Sequence, residues 1–411
     1  MRQRIPLPTG IPFRAEALRQ EEAFLFRRVA DQGRAVLGVG VLQDGERPRF
    51  DAQGRSTDWF MGHLAYGYKD RLEPLGSRLH DAFGWPLSHW FIPRWVYEWQ
   101  GDDLTLYAYP DDAAAGIGLA HAMAGPPAAG AARVPIDWRP AMSRAEYLHA
   151  AGALMAAIQR GDIYEVNLCT AHEAVVPGFD PFAAFDRLLA DTDAPFAGFL
   201  RMGTGFALCA SPERFLAMND RRMAGEPMKG TRPRGRSAAE DQRLARELAL
   251  DAKERSENVM AVDVMRNDLA RVSVPGSVRV TELCGVRSYP RVHQLVSAME
   301  AERRTDVDPF TAVEAAFPMA SMTGAPKFRA MQLIDAAEAR ARGLYSGTMG
   351  FFAPDGTADL NVVIRTVLFD QVSSRLSIPT GSALTAQCDP SAEWDECLVK
   401  LNSIAHALTA P

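Results

Sequence analysis

The chain has 411 residues, 47% of them apolar and 23% charged, and a net charge of −6. That length allows two or three ordinary domains or one large α/β unit, and the apolar share is enough for a full core. A net negative charge gives no general field for nucleic acid or an anionic membrane, so an anionic ligand here needs local cations.

The opening residues Met1 to Ala15 carry arginines but no apolar stretch behind them, which predicts no signal peptide. No run of about 18 apolar residues predicts a membrane span. Five cysteines (Cys169, Cys209, Cys284, Cys388 and Cys397) lack CxxC spacing and fit reduced thiols in a cytoplasmic protein.

In chain order, Trp59 to Tyr68 predicts a strand. Trp95–Trp99 and Leu104–Tyr109, joined at Gly101-Asp102, predict a hairpin. His63 and His89 have no metal-spaced companions and read as structural. Residues 1–122 form an N-terminal subdomain in this reading. The Ala/Gly/Pro-rich stretch 123–140 is a linker, and 141–411 is the main region. Ser143 with Glu146 is a capping box for a helix through Tyr147, Ala151, Leu154 and Ile158, ended by Gly161. A strand over Ile163 to Thr170 follows.

The stretch Gly225 to Gly235 holds two prolines and three glycines and predicts a rigid, open loop. Lys229 lies inside it, beside Gly230, Arg232 and Arg234. Cationic neighbours or a desolvated pocket would lower its pKa and make it an amine nucleophile, and a solvated basic loop is the other reading. Glu213, sixteen residues earlier, is a carboxylic acid that either donates a proton across a site or pairs with Arg214. Ser237 with Glu240 opens another helix. Glu254 and Glu257 share one helical face, as do Glu393, Glu396 and Lys400 on a helix started by Asp389 and Pro390. Two such acidic pairs suit Mg²⁺ better than zinc. Gly347–Phe352 and Leu360–Leu368 predict a hairpin around Pro354-Asp355-Gly356. Arg365 within its apolar second strand calls for a planar anion.

Eight motifs, in order from about residue 143 to 404, resemble those of the chorismate-utilising enzymes. They include Gly161-Asp162-Ile163-Tyr164-Glu165-Val166-Asn167-Leu168, Ser211-Pro212-Glu213-Arg214-Phe215, Pro227-Met228-Lys229-Gly230-Thr231 and Phe317-Pro318-Met319-Ala320-Ser321-Met322-Thr323-Gly324-Ala325-Pro326-Lys327. The resemblance implies an α+β fold, a large two-sheet antiparallel sandwich with outer helices and a site in the cleft between its halves. It also implies catalytic roles for Lys229, Glu213 and His293, the histidine lying beside the substrate ring. Substrate contacts would come from Gly230, Thr231, Ser321, Gly324, Tyr345, Arg365, Gly381 and Lys400. Mg²⁺ would be held by Glu257 and Glu396, supported by Glu254 and Glu393.

The lysine form of the signature is similar to the members that aminate chorismate to 4-amino-4-deoxychorismate for p-aminobenzoate and folate. This implies chorismate as substrate and ammonia from a separate glutamine amidotransferase subunit, since no cysteine sits in a Gly-x-Cys-x-Gly elbow. Three alternatives remain open. Anthranilate synthase component I normally has alanine at the place of Lys229. Isochorismate and salicylate synthases have lysine at that of Glu165. A non-catalytic relative is suggested by Ala383, Gln387 and Met319-Ala320, which depart from the family pattern.

Overall fold

The computed structural model describes residues 1–77, 79–125, 135–289 and 292–408. Part of the expected linker, 126–134, therefore lies outside the described residues. Pro140, at its end, already belongs to a short strand, Arg139–Pro140, laid on His172 and Glu173. The capping box at Ser143 is present, with Glu146 N donating to Ser143 Oγ at 3.3 Å and Ser143 N to Glu146 Oε2 at 2.8 Å. It opens the helix Arg144–Gln159.

Twenty strands among the described residues form one antiparallel hydrogen-bonded network that branches at Ser88–Gln100. Along one edge this strand pairs with Arg34–Gly45. On the other edge its first residues pair with Phe60–Leu64 and its last with Asp103–Ala108. From Arg34–Gly45 the first layer runs through Ala23–Val29, Gly198–Met202, Gly205–Cys209, Thr366–Asp370 and Arg375–Thr385 to Glu165–Val175. From Phe60–Leu64 the second runs through Thr348–Phe352, Thr357–Val362, Arg214–Asn219 and Arg222–Gly225 to Val292–Glu302.

The layers face each other across one apolar cluster. Leu25, Val36, Leu200 and Leu368 come from the first, and Met61, Met349 and Phe351 from the second. Period-two alternation puts the other face of each strand outward, where helices cover it. Pro181–Thr192 and Pro390–Leu408 lie on the first layer, and Ala252–Ala270 and Pro309–Ala316 on the second. This is the expected α+β sandwich with outer helices.

Three local expectations are corrected. Trp59 to Tyr68 is a strand only over Phe60–Leu64 and turns into a 3-10 turn at Tyr66–Tyr68. Gly225 to Gly235 is no open loop: Met228–Pro233 is a strand paired with Val292–Val296, irregular between Lys229 and Thr231. Gly230 takes φ +74° at that irregularity, and a Cβ there would meet Glu254 Oε2 at 2.9 Å. Leu360–Leu368 is not continuous, because the strand breaks after Val362 and Arg365 adopts φ +50° before Thr366.

Candidate active site

Where the edge of the first layer meets the end of the second, the chain encloses a cavity of about 630 Å³. Its walls come from strands and helices whose opposite faces are anchored in the cores. On Pro390–Leu408, Glu393, Glu396, Lys400 and Ser403 face the cavity, whereas Trp394, Cys397, Leu401 and Ile404 are buried. Each fully buried apolar side chain of that kind contributes about 1.5–3 kcal/mol, which fixes the helix and aims its polar stripe. On Ala252–Ala270, Lys253, Glu254 and Glu257 face the cavity, while Val262, Met265 and Leu269 pack beneath.

The cavity gathers Lys229, Glu213, Gly230, Thr231, Ser321, Tyr345, Arg365, Gly381, Lys400, Glu254, Glu257, Glu393 and Glu396. Two expected site residues lie elsewhere. Gly324 pairs with Val166 at φ +147°, where a Cβ would sit 2.1 Å from Glu165 O, so its glycine serves close backbone packing. His293 is buried on the other face of its strand. Its Nδ1 contacts Ser288 Oγ at 2.8 Å and its Nε2 contacts Asp241 at 2.9 Å. Alternation along the strand gives the cavity-facing place to Gln294, which the sequence reading missed.

The surroundings of Lys229 also differ from the expectation. Arg232, which also lines the cavity, pairs with Asp251 at 2.7 Å and lies 3.5 Å from Glu254, and Arg234 turns away to Asp241 at 2.7 Å. Lys229 Nζ instead donates to Glu165, with Glu257 3.9 Å away. Burial pulls its pKa down, but the two carboxylates outweigh burial and hold the ammonium above its ordinary value. Glu165, which in the sequence only set the chain apart from the isochorismate and salicylate synthases, is thus the lysine's hydrogen-bond partner.

Glu213 is buried, and burial pushes its carboxyl up to about 7, against the opposing pull of Ser321 and Lys229. Ser321 Oγ donates to its Oε1 at 2.8 Å. Arg365 makes no ion pair among the described residues, and its Nη1 donates to Ser403 Oγ at 2.8 Å. Burial lowers its pKa, as expected for a guanidinium lacking an adjacent anion. Lys400 is parked on Glu396 at 2.6 Å and on Gly381 O at 2.7 Å. The same cavity thus holds the cations Arg365 and Lys400 together with an amine and an acid whose carboxyl is raised to about 7.

Among the described residues no group of three or more His, Cys, Asp or Glu is close enough to hold a metal. The four carboxylates nevertheless suit a hard cation that keeps most of its water. Glu257 Oε1 is buried without a hydrogen-bond partner, and burial pushes this carboxyl up to about 7. Lys253 Nζ lies 2.7 Å from Glu393 and 3.9 Å from Glu257, a positive charge between the two helices' carboxylates.

The sequence model of the chorismate-binding enzymes matches residues 27–406. The chain is 41% identical over 272 residues to the chloroplastic aminodeoxychorismate synthase of Arabidopsis thaliana, covering 66% of this chain and 29% of that protein. It is 37% identical over 350 residues to aminodeoxychorismate synthase component 1 of Klebsiella aerogenes, covering 85% of this chain and 76% of that one. Its fold is similar to the menaquinone-specific isochorismate synthase of Escherichia coli, at a TM-score of 0.81 and 17% identity over 100% of this chain and 94% of that chain. The chain therefore spans less than a third of the Arabidopsis relative's length.

Proposed function

Because the chain belongs to the chorismate-binding enzyme family, we propose that it aminates chorismate to 4-amino-4-deoxychorismate in the cytoplasm, for p-aminobenzoate synthesis. The observation that carries this reading is that Lys229 and Glu213 face the same cavity as Arg365, a guanidinium without an ion pair among the described residues. A nucleophile, an acid and an anion holder are the three groups that displacement of a hydroxyl from an anionic ring requires. Arg365 and Lys400 bind the substrate carboxylates. Lys229 passes its proton to Glu165, and its amine attacks ring carbon 2. Both conjugated ring double bonds shift by one position, and the 4-hydroxyl leaves as water with the proton of Glu213, which Ser321 keeps oriented. Ammonia then bonds to carbon 4 and the carbon 2–nitrogen bond breaks. The lysine amine departs and recovers its proton from Glu165, and the new carbon 4 ammonium gives up the proton that restores Glu213. Mg²⁺ held by Glu257 and Glu396, with Glu254 and Glu393 behind them, would supply a template and Lewis acid for the ring carboxylate.

The purified chain, given chorismate, Mg²⁺ and an ammonium salt at raised pH, is expected to form 4-amino-4-deoxychorismate. Product mass and retention separate this from anthranilate or isochorismate, either of which would overturn the reading. Glutamine is expected to replace ammonium only when a separate amidotransferase subunit is added. Glutamine-driven amination by the chain alone, with such a subunit excluded by mass spectrometry, would contradict this.

The pH dependence isolates Glu213. Its folded pKa is raised, so the acid form needed to protonate the leaving hydroxyl is present below about 7 and lost above it. Formation of the Lys229 adduct without ammonia should therefore fall about tenfold per pH unit above 7. Glu213→Gln should lower it about 10²–10⁴-fold at pH 6 and remove this dependence. A wild-type rate that is flat from pH 6 to 9 would exclude Glu213 as the acid.

A further inference from the structure

Gln294 lines the cavity from the strand Val292–Glu302, cross-strand from Thr231 at the irregularity between Lys229 and Thr231. It is 4% exposed, and its Oε1 is buried without a hydrogen-bond partner. Its neighbour His293, on the opposite face, has both ring nitrogens engaged. A buried amide oxygen without a donor destabilises the chain that carries it, so such groups are kept where a ligand or water completes them. Of the other cavity residues with an orphaned atom, Glu257 is a carboxylate suited to a cation and Thr380 a hydroxyl at the wall. Gln294 is a neutral amide lining the same cavity as Lys229, and the lysine does not satisfy it, since that ammonium is taken by Glu165.

We propose that Gln294 is a ligand-recognising residue whose amide oxygen accepts a hydrogen bond from an uncharged O–H or N–H of the reacting molecules. This rests on the amination reading above. Two sources supply that chemistry: the ring hydroxyl of chorismate and the ammonia that follows it. An amide has no proton to lose near neutral pH, so it can orient ammonia without turning it into ammonium, as an acid would. A site that hydrogen-bonds a ligand in this way also discriminates against ligands lacking the donor.

The test compares Gln294→Met, of similar length and without the amide, with the wild-type chain. Three quantities are measured: the melting temperature without ligand, the chorismate dependence of Lys229 adduct formation without ammonia, and the ammonium KM of steady-state turnover. Removing an orphaned buried polar group should leave the melting temperature unchanged or raised. One kinetic dependence should shift about 10- to 100-fold. A shift in the chorismate dependence identifies the hydroxyl, and a shift in the ammonium KM with normal adduct formation identifies ammonia. Both dependences within twofold of wild type, or a lowered melting temperature with proportionate loss of both, would overturn the proposal. Gln294→Asn, which draws the amide back by one methylene, is measured beside it. Its defect is expected in the same parameter, and normal behaviour would overturn the proposal even if the methionine variant fails to fold. If the wild-type chain itself forms no adduct and no amine product, it is the amination reading that fails.

Discussion

Lys229→Ala is expected to slow amination by roughly 10³–10⁶-fold, the scale on which removal of a covalent nucleophile acts. The side chain is buried against Glu165 and Glu257, so the substitution leaves Glu165 without its cation and Glu257 with only Lys253, 3.9 Å away. They can take up protons instead, and a small loss of thermal stability is expected rather than unfolding. Chorismate affinity, which the proposed reading assigns to Arg365 and Lys400, should change little. Peptide mass analysis after incubating the wild-type chain with chorismate and no ammonia should place the adduct on Lys229. Normal turnover by the alanine variant would end this assignment, whatever the adduct mapping shows.

Glu257→Gln and Glu396→Gln should each weaken Mg²⁺ binding about 10- to 100-fold with little change in melting temperature. The two residues stand on different helices, and each change removes a charge at nearly constant volume. Binding should also depend on pH. Burial raises the Glu257 carboxyl from 4.5 to about 7, so it is protonated below that value and a cation must displace the proton. Affinity is then expected to fall as pH drops below 7, by up to tenfold per unit, and to level off above it. Glu257→Gln should flatten that slope. Calorimetric titration with Mg²⁺ at limiting concentrations checks both effects. If both variants bind and turn over normally there, the cation lies elsewhere.

Much of the site was legible in the sequence because local spacing encodes helical faces. Glu254 with Glu257, and Glu393 with Glu396, meet in one cavity because three-residue spacing places each pair on one face of its helix. Capping residues marked the helix starts at Ser143, Ser237 and Asp389 for the same local reason. What local spacing does not carry is strand register. His293 and Gln294 are adjacent, and which one faces the ligand turns on a one-residue phase set by pairing with Met228–Pro233. Environment is likewise non-local. Arg232 and Arg234 are close to Lys229 in sequence but pair with Asp251 and Asp241, while the lysine's partners Glu165 and Glu257 come from distant segments. The break at Arg365 was hidden too, because apolar residues on both sides of it resemble an unbroken strand.

The branching strand Ser88–Gln100 bears on how the chain can be dissected. Composition changes sharply after residue 122, which invites a cut near residue 141. The fragment left after it would lose Ser88–Gln100 together with Ala23–Val29, Arg34–Gly45 and Phe60–Leu64. Gly198–Met202 and Thr348–Phe352 would then become bare sheet edges. Met349, Phe351 and Leu200 would face solvent through the gap. Unpaired edges beside exposed apolar surface favour intermolecular strand pairing. The fragment holds every charged residue that lines the cavity and would still sooner aggregate than work. The seam in composition is not a seam in cooperativity.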